Sequence, residues 1–171
     1  MTIEARLEAL EQRLEQAEAE LAIRNLITRY SLAVDCGDTS AAVGCHTKQA
    51  VFVVSAPGAG RSEQETAEHG AEDLRLEGYQ AIANMLNSPM HRSLLPDCAH
   101  TVGPFYVEVT GHKATAVGYS RLYRKQGDAF GLMRLSINEW RFEKQQGQWL
   151  IALRESRLLG TEEAQQILKH V

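Results

Sequence analysis

Apolar and polar positions alternate with helical periodicity along the first part of the chain. A narrow apolar stripe, separated by charged and amide side chains, recurs in steps of three and four residues: Leu7, Leu10, Leu14, Ala17 and Leu21. This spacing predicts an amphipathic helix of about two and a half heptads. We expect residues 1–20 to form a helical extension that packs on the body of the protein or on a second subunit, and we prefer the second subunit.

The helical pattern then widens into a stripe that should face a hydrophobic core: Ile23, Leu26, Ile27, Tyr30, Ala33 and Val34. Gly37 is the expected left-handed stop of this helix, and Asp38 can cap a short helix over 39–46. Asp35 falls off the stripe in the last helical turn, where the free carbonyls disfavour a carboxylate by roughly 0.3–1 kcal/mol. Stability therefore does not explain Asp35, and a flank that also carries Leu32 is typical of a pocket wall.

The later part of the chain changes to the alternation typical of strands. A strand is predicted at 50–54, a long loop at 56–73 and a helix at 74–86. Further strands with turn signals between them are predicted at 105–109, 114–125, 130–143 and 148–158. Residues 161–171 should form a short helix or tail. Helices followed by an antiparallel meander indicate an α+β domain over residues 21–160.

Composition excludes several functional classes. The chain has 171 residues, 44% of them hydrophobic, which suits one domain with a sizeable core. No apolar run is long enough for a membrane span, and the N-terminus lacks the apolar segment of a signal peptide, so we expect a cytoplasmic protein. Three cysteines without framework spacing agree with a reducing compartment. The net charge of −4 arises within residues 1–20, and no basic patch suggests nucleic-acid binding.

Two short signals could carry chemistry: Asp35 at the end of the long helix, and the run Asp97-Cys98-Ala99-His100 that enters the meander. Histidine gains and loses protons near neutral pH, and a carboxylate on its second nitrogen fixes its tautomer. Asp35 and His100 would form a general base if they meet, but spacing alone leaves a surface or core role for His100 open. Other soft ligands such as Cys45-His46 lack the spacing of a zinc motif, so no metal is expected.

Three segments follow one another in an order that is typical of one superfamily. They are AIRNLITRYSLAVDCGD at 22–38, HTVGPFYVEVTGHKATA at 100–116 and GQWLIALR at 147–154. They resemble the opening helix, a hairpin and the closing strand of the SnoaL-like group of the NTF2-like superfamily, over about residues 21–158. The resemblance implies an α+β cone, in which a curved, mostly antiparallel sheet with helices on its concave side encloses a deep apolar pocket.

Enzymes of this group, such as scytalone dehydratase, hexachlorocyclohexane dehydrochlorinase and bile acid 7α-dehydratase, use an Asp–His dyad without a metal or an organic cofactor. The resemblance therefore implies that His100 is the base and Asp35 its orienting partner. It also implies that Tyr30 is a hydrogen-bond donor or pocket wall in the active site. Cys98 matches a residue that lines the substrate pocket.

An arginine of the last strand contacts substrate in the resembling enzymes. Arg154 matches it, and Arg157 is the alternative because neighbouring strand residues alternate faces. The sequence departs from the group at 51–55, where no tyrosine stands to polarise a substrate carbonyl. Three tyrosines are candidates for that role: Tyr30, Tyr119 and Tyr123. The loop at 56–73 is longer than the group leads us to expect and could be a lid or a subunit contact.

The sequence and the resemblance together predict a cofactor-independent lyase or isomerase. It would remove a proton from a carbon of a small hydrophobic cyclic molecule, with loss of water or another leaving group. One alternative is a non-catalytic domain that binds a small apolar ligand. Another is a structural role like that of the small subunit of ring-hydroxylating dioxygenases. The resemblance further implies a homo-oligomer, either a trimer or a dimer, and neither a nucleic acid nor a membrane is an expected partner.

Overall fold

A computed structural model of the protein describes residues 2–56 and 73–169. Its six strands are β1 (His46–Val54), β2 (Leu74–Glu77), β3 (Cys98–Thr110), β4 (Lys113–Gln126), β5 (Ala129–Gln145) and β6 (Gln148–Leu158). Its helices are α1 (Ile3–Asp35), α2 (Thr39–Val43), α3 (Gly78–Leu86), α4 (Pro89–Arg92) and α5 (Glu162–Leu168). The sheet order is β2-β1-β6-β5-β4-β3, with β1 and β6 parallel and the other neighbours antiparallel. The predicted curved, mostly antiparallel sheet with helices is confirmed.

The helix α1 ends where its sequence signals place the end. Gly37 has φ +75°, the left-handed conformation that stops a helix. Asp38 caps α2, because its Oδ1 accepts a hydrogen bond from the backbone N–H of Ala41 at 2.9 Å. Asp35 is consequently the last residue of α1, and the following turn holds its backbone in place.

The two halves of α1 have different surroundings. Its second half packs its wide apolar stripe into the main core, with Ile23 and Ile27 completely buried. Its first half exposes the narrow apolar stripe to solvent. The exposed fraction is between 56% and 82% for each of the large side chains there: Ile3, Leu7, Leu10, Leu14 and Leu21. The stripe therefore does not pack on the part of the body that the structure describes.

The register of the sheet decides which side chains face the helices. Trp140 of β5 lies opposite Ala116 of β4 and Arg154 of β6, and Arg154 lies opposite Phe52 of β1. Cross-strand partners share a face, so this row points toward α1 and the core. Ile137 has the opposite parity and packs with α5 on the other side of the sheet. The helix α5 thus covers the convex face, whereas the other helices lie on the concave side.

The segment 74–86 differs from its predicted single helix. Its first residues form β2, which pairs with β1 through Leu76 and Phe52. The helix α3 starts only at Gly78, where φ is +78° and the chain turns. The strand β1 also begins earlier than predicted, at His46, because α2 ends at Val43.

The predicted loop at 56–73 lies almost wholly outside the described residues. Across the residues that are described, no helix combines the length and the apolar character that crossing a membrane requires.

Candidate active site

A cavity of about 900 Å³ lies between the concave face of the sheet and the helices α1, α3 and α4. Much of its wall is formed by aliphatic and methionine side chains, including Val34, Leu86, Met85, Val102 and Leu122. Polar groups interrupt this wall at a few places, notably Tyr30, His100 and Arg154. A largely apolar cavity with a few convergent polar groups is the usual form of a small-molecule site.

The structure brings Asp35 and His100 into direct contact, although they are 65 positions apart in the sequence. Asp35 Oδ1 lies 2.5 Å from His100 Nδ1, and Asp35 Oδ2 accepts the backbone N–H of His100 at 2.8 Å. The two side chains are 20% and 25% exposed, and His100 lines the cavity. A carboxylate at Nδ1 favours the tautomer in which Nδ1 carries the proton and Nε2 is free to accept one.

The resemblance led us to expect Cys98 in the wall of the cavity, but Cys98 is not among the described residues that line it. It contacts the carboxylate of Asp35 instead. Its Sγ lies 3.8 Å from Asp35 Oδ1, and the side chain is buried. Burial, together with the negative charge of Asp35, raises the pKa of the Cys98 thiol to about 11. The thiol therefore stays protonated at neutral pH and can donate weakly to Asp35.

His91 belongs to this cluster, although sequence analysis gave it no role there. It lies on α4 and its ring stacks on that of His100, with centroids 6.1 Å apart and 21° between the planes. Burial is the main cause that lowers the pKa of His91, and the nearby His100 lowers it further. A neutral imidazole thus covers one face of His100. The short Ser88-Pro89 helix start that positions His91 is visible in the sequence, but its contact with His100 is not.

Arg154 is the last-strand arginine that faces the cavity. Its Cζ lies 4.7 Å from the ring centroid of Trp140, 5.0 Å from that of Phe52 and 5.8 Å from that of Tyr30. Arg157, the alternative, points elsewhere and pairs with Glu155 and Asp73. The alternation of faces along β6 therefore separates the two candidates.

The three candidate tyrosines have different positions. Tyr30 is 3% exposed and lines the cavity, and burial raises the pKa of its phenol. Tyr119 lies opposite Ile137, on the convex face, and Tyr123 has the same parity along β4. Neither is among the described residues that line the cavity. The expectation that Tyr119 or Tyr123 contacts a ligand there is not met by this geometry, because Tyr119 shares the convex face with Ile137 and Tyr123 is absent from the described cavity wall.

The two side chains of the dyad and Cys98 could converge on a cation. The ligand atoms of Asp35, Cys98 and His100 all lie within 4.8 Å of one another. Zinc would require the Cys98 thiolate and would replace the hydrogen bond between Asp35 and His100. The contacts of Asp35 with His100 Nδ1 and with Cys98 Sγ are those of a hydrogen-bonded dyad.

Comparisons with known proteins agree with this fold. A family model described as a SnoaL-like domain matches residues 15–155. An NTF2-like protein with a cystatin-like fold from Novosphingobium aromaticivorans is 32% identical, with 96% of each chain covered and a TM-score of 0.76. A variant of Rv3472, a Mycobacterium tuberculosis protein of unknown function, is 20% identical, with 95% of this chain and 89% of that chain covered and a TM-score of 0.68.

A third solved structure is that of a Novosphingobium aromaticivorans protein provisionally named a scytalone dehydratase. It is 14% identical, with 83% of this chain and 85% of that chain covered and a TM-score of 0.64, a likeness of fold alone. The comparison with curated proteins found no match.

Proposed function

The chain belongs to the SnoaL-like family, and from that premise we propose that it is a lyase or isomerase in which His100 removes a proton from a carbon atom. The substrate is a small hydrophobic cyclic molecule that fits the cavity. The reaction needs no organic cofactor and no metal, because the dyad itself supplies the base. The observation that carries the proposal is the 2.5 Å contact between Asp35 Oδ1 and His100 Nδ1 beside an apolar cavity.

The proposed step can be written with its electrons. His100 Nε2 accepts the proton from carbon, the electron pair of the C–H bond becomes a new π bond, and the leaving group departs with the electrons of its own bond. Asp35 accepts the Nδ1–H hydrogen bond throughout and stabilises the imidazolium that forms. Such a base contributes typically 10²- to 10⁴-fold to the rate.

The surroundings of the dyad support this role. The buried ring of Tyr30 restricts one side of the cavity, and its phenol has a raised pKa, so it acts as a neutral hydrogen-bond donor or as wall. The negative potential at the C-terminal end of α1 also favours an imidazolium there. These features give a functional reason for a carboxylate at a helix end, where the free carbonyls disfavour a negative charge.

A probe reaction tests the proposal without knowledge of the natural substrate. 5-Nitrobenzisoxazole loses its C3 proton to a base, its N–O bond breaks, and a coloured nitrophenolate forms. We expect the chain to accelerate this ring opening and the His100→Gln variant to lose at least about 10²-fold of the acceleration. His112→Gln is the matched control, because His112 is exposed in the turn between β3 and β4. Equal rates for the chain and His100→Gln, both folded, would rule the proposal out.

A non-catalytic ligand-binding domain is the second candidate, and the cavity volume favours it equally. The two candidates differ in the fate of the probe. A binding domain would hold 5-nitrobenzisoxazole and release it unchanged, at a rate of ring opening equal to that of the buffer.

We also propose that the chain forms a homo-oligomer in which a second copy covers the stripe on the first half of α1. Five large aliphatic side chains on an exposed helix form the kind of apolar surface that marks a protein contact. A helix of this length gains most of its stability from packing, so a partner would also stabilise it.

A further inference from the structure

Arg154 is held in a rigid aromatic environment on the cavity wall. Its guanidinium lies over the rings of Trp140, Phe52 and Tyr30. Its Nε donates a hydrogen bond to Asn138 Oδ1 at 3.1 Å. Asn138 is completely buried and its own Nδ2 donates to Ser120 Oγ at 2.7 Å. This chain of contacts fixes the orientation of the guanidinium.

The guanidinium has no carboxylate partner among the described residues. The ion pairs of that part of the chain do not include Arg154. Burial lowers the pKa of Arg154, but an arginine side chain remains charged in proteins. A partly buried charge without a counter-ion is unfavourable, and aromatic faces compensate only in part. Among the described residues the guanidinium therefore lacks a negative partner, which a ligand could supply.

The described residues on the rest of the cavity wall include a further arginine. Arg124 of β4 lines the cavity in addition to Arg154. The described residues that line the cavity include no aspartate and no glutamate, since Asp35 lies behind His100. A low-dielectric cavity with arginines on its wall concentrates anions.

We propose that Arg154 binds the carboxylate of the ligand, so that the substrate is a hydrophobic cyclic acid. The role of this acid as a substrate rests on the proposed function, whereas its binding to Arg154 does not. Guanidinium and carboxylate match in shape and form two parallel hydrogen bonds. Tyr30 beside Arg154 and Asp35 beside His100 are five residues apart on α1, about 7.5 Å along the axis.

Three adamantane derivatives of nearly equal shape test the charge preference: adamantane-1-carboxylate, adamantane-1-carboxamide and 1-adamantylammonium. Trp140 lies 4.7 Å from the guanidinium, so its fluorescence can report binding in a Trp149→Phe background that removes the other tryptophan. We expect the carboxylate to bind at least tenfold more tightly than the carboxamide, and the ammonium to bind most weakly. Equal affinity for the carboxylate and the carboxamide would overturn the proposal, and this comparison needs no change at Arg154.

Variants then assign the preference to one residue. Arg154→Met should abolish it, Arg154→Lys should retain part of it, and the exposed Arg141→Met is the matched control that should retain all of it. A preference that survives in a folded Arg154→Met variant would contradict the assignment. His100→Gln should keep the preference, because the dyad does not bind the carboxylate. A failed ring-opening test with an intact charge preference would thus remove the lyase proposal alone.

Discussion

Replacing Asp35 with asparagine should separate the stability of the protein from its activity. The substitution keeps the size of the side chain and removes its charge. Asp35 accepts two strong hydrogen bonds from His100, one from the backbone N–H at 2.8 Å and one at Nδ1 at 2.5 Å. An asparagine can accept only through its one oxygen, and its NH₂ group favours the wrong tautomer of His100, in which Nε2 carries the proton.

The stability change can be worked from these contacts. A hydrogen bond to a charged group contributes about 1.5–3 kcal/mol and a neutral one about 0.5–1.5 kcal/mol, so each bond loses roughly 1 kcal/mol. Removing a negative charge from the C-terminal end of α1 returns about 0.3–1 kcal/mol. The net loss in the free energy of unfolding is about 1–2 kcal/mol, or a shift of a few degrees in Tm.

The loss of activity should be larger. A base in the wrong tautomer forfeits most of the 10²- to 10⁴-fold that general base catalysis contributes, which is about 3–5 kcal/mol of activation free energy. A domain with an ordinary stability of about 5–15 kcal/mol remains folded after losing 1–2 kcal/mol, so unfolding would not explain the slower rate. The assay is 5-nitrobenzisoxazole ring opening, with urea unfolding of the same samples.

Asp38→Ala is the matched control. It removes a helix cap that accepts the N–H of Ala41 and should cost about 0.5–2 kcal/mol of stability without changing the rate. If Asp35→Asn keeps its rate within a factor of a few, or if it loses its rate only by unfolding, the reasoning about Asp35 is refuted.

Further predictions concern pH, thiols and assembly. His46 is completely buried, and burial lowers its pKa to about 4. As the pH falls below 6.5, His46 of the unfolded chain is therefore protonated before His46 of the folded chain. The contribution of His46 to stability is therefore nearly complete above pH 6.5 and falls by about 2.5 kcal/mol by pH 4.5. Urea unfolding should show a smaller acid loss in His46→Gln, and an equal loss would contradict this origin. Exposed Cys36 should react with a disulfide reagent much faster than Cys98, whose pKa is raised to about 11. Mass spectrometry of the labelled peptides distinguishes the two cysteines. Equal labelling of both would argue against a buried thiol at Cys98. Charges at Leu10 and Leu14 should dissociate the proposed oligomer in analytical ultracentrifugation, whereas an unchanged sedimentation coefficient would place the contact elsewhere.

Local signals predicted those parts of the fold that depend on neighbours in sequence. The end of α1 follows from Gly37, and the cap of α2 follows from Asp38. The segment 74–77 was predicted wrongly as helix, because its pairing with β1 depends on residues twenty or more positions away. Pairing across a sheet is a tertiary interaction that overrides local pattern.

The candidate site was predictable in part for the same reason. Asp35 and His100 were identifiable from the misplaced charge and the resemblance, but their contact required the structure. The positions of Tyr119 and Tyr123 depend on register, which a one-residue shift inverts. His91 was not assigned to the site because stacking on His100 brings together two elements that no sequence spacing connects.

The pH dependence of probe ring opening tests the central claim, that His100 takes a proton from carbon, most directly. We expect the rate of the unmodified chain to fall on the acid side as a single group becomes protonated. We also expect this dependence to be absent from the residual rate of folded His100→Gln. A profile with the same acid limb and the same plateau in both proteins would contradict the claim.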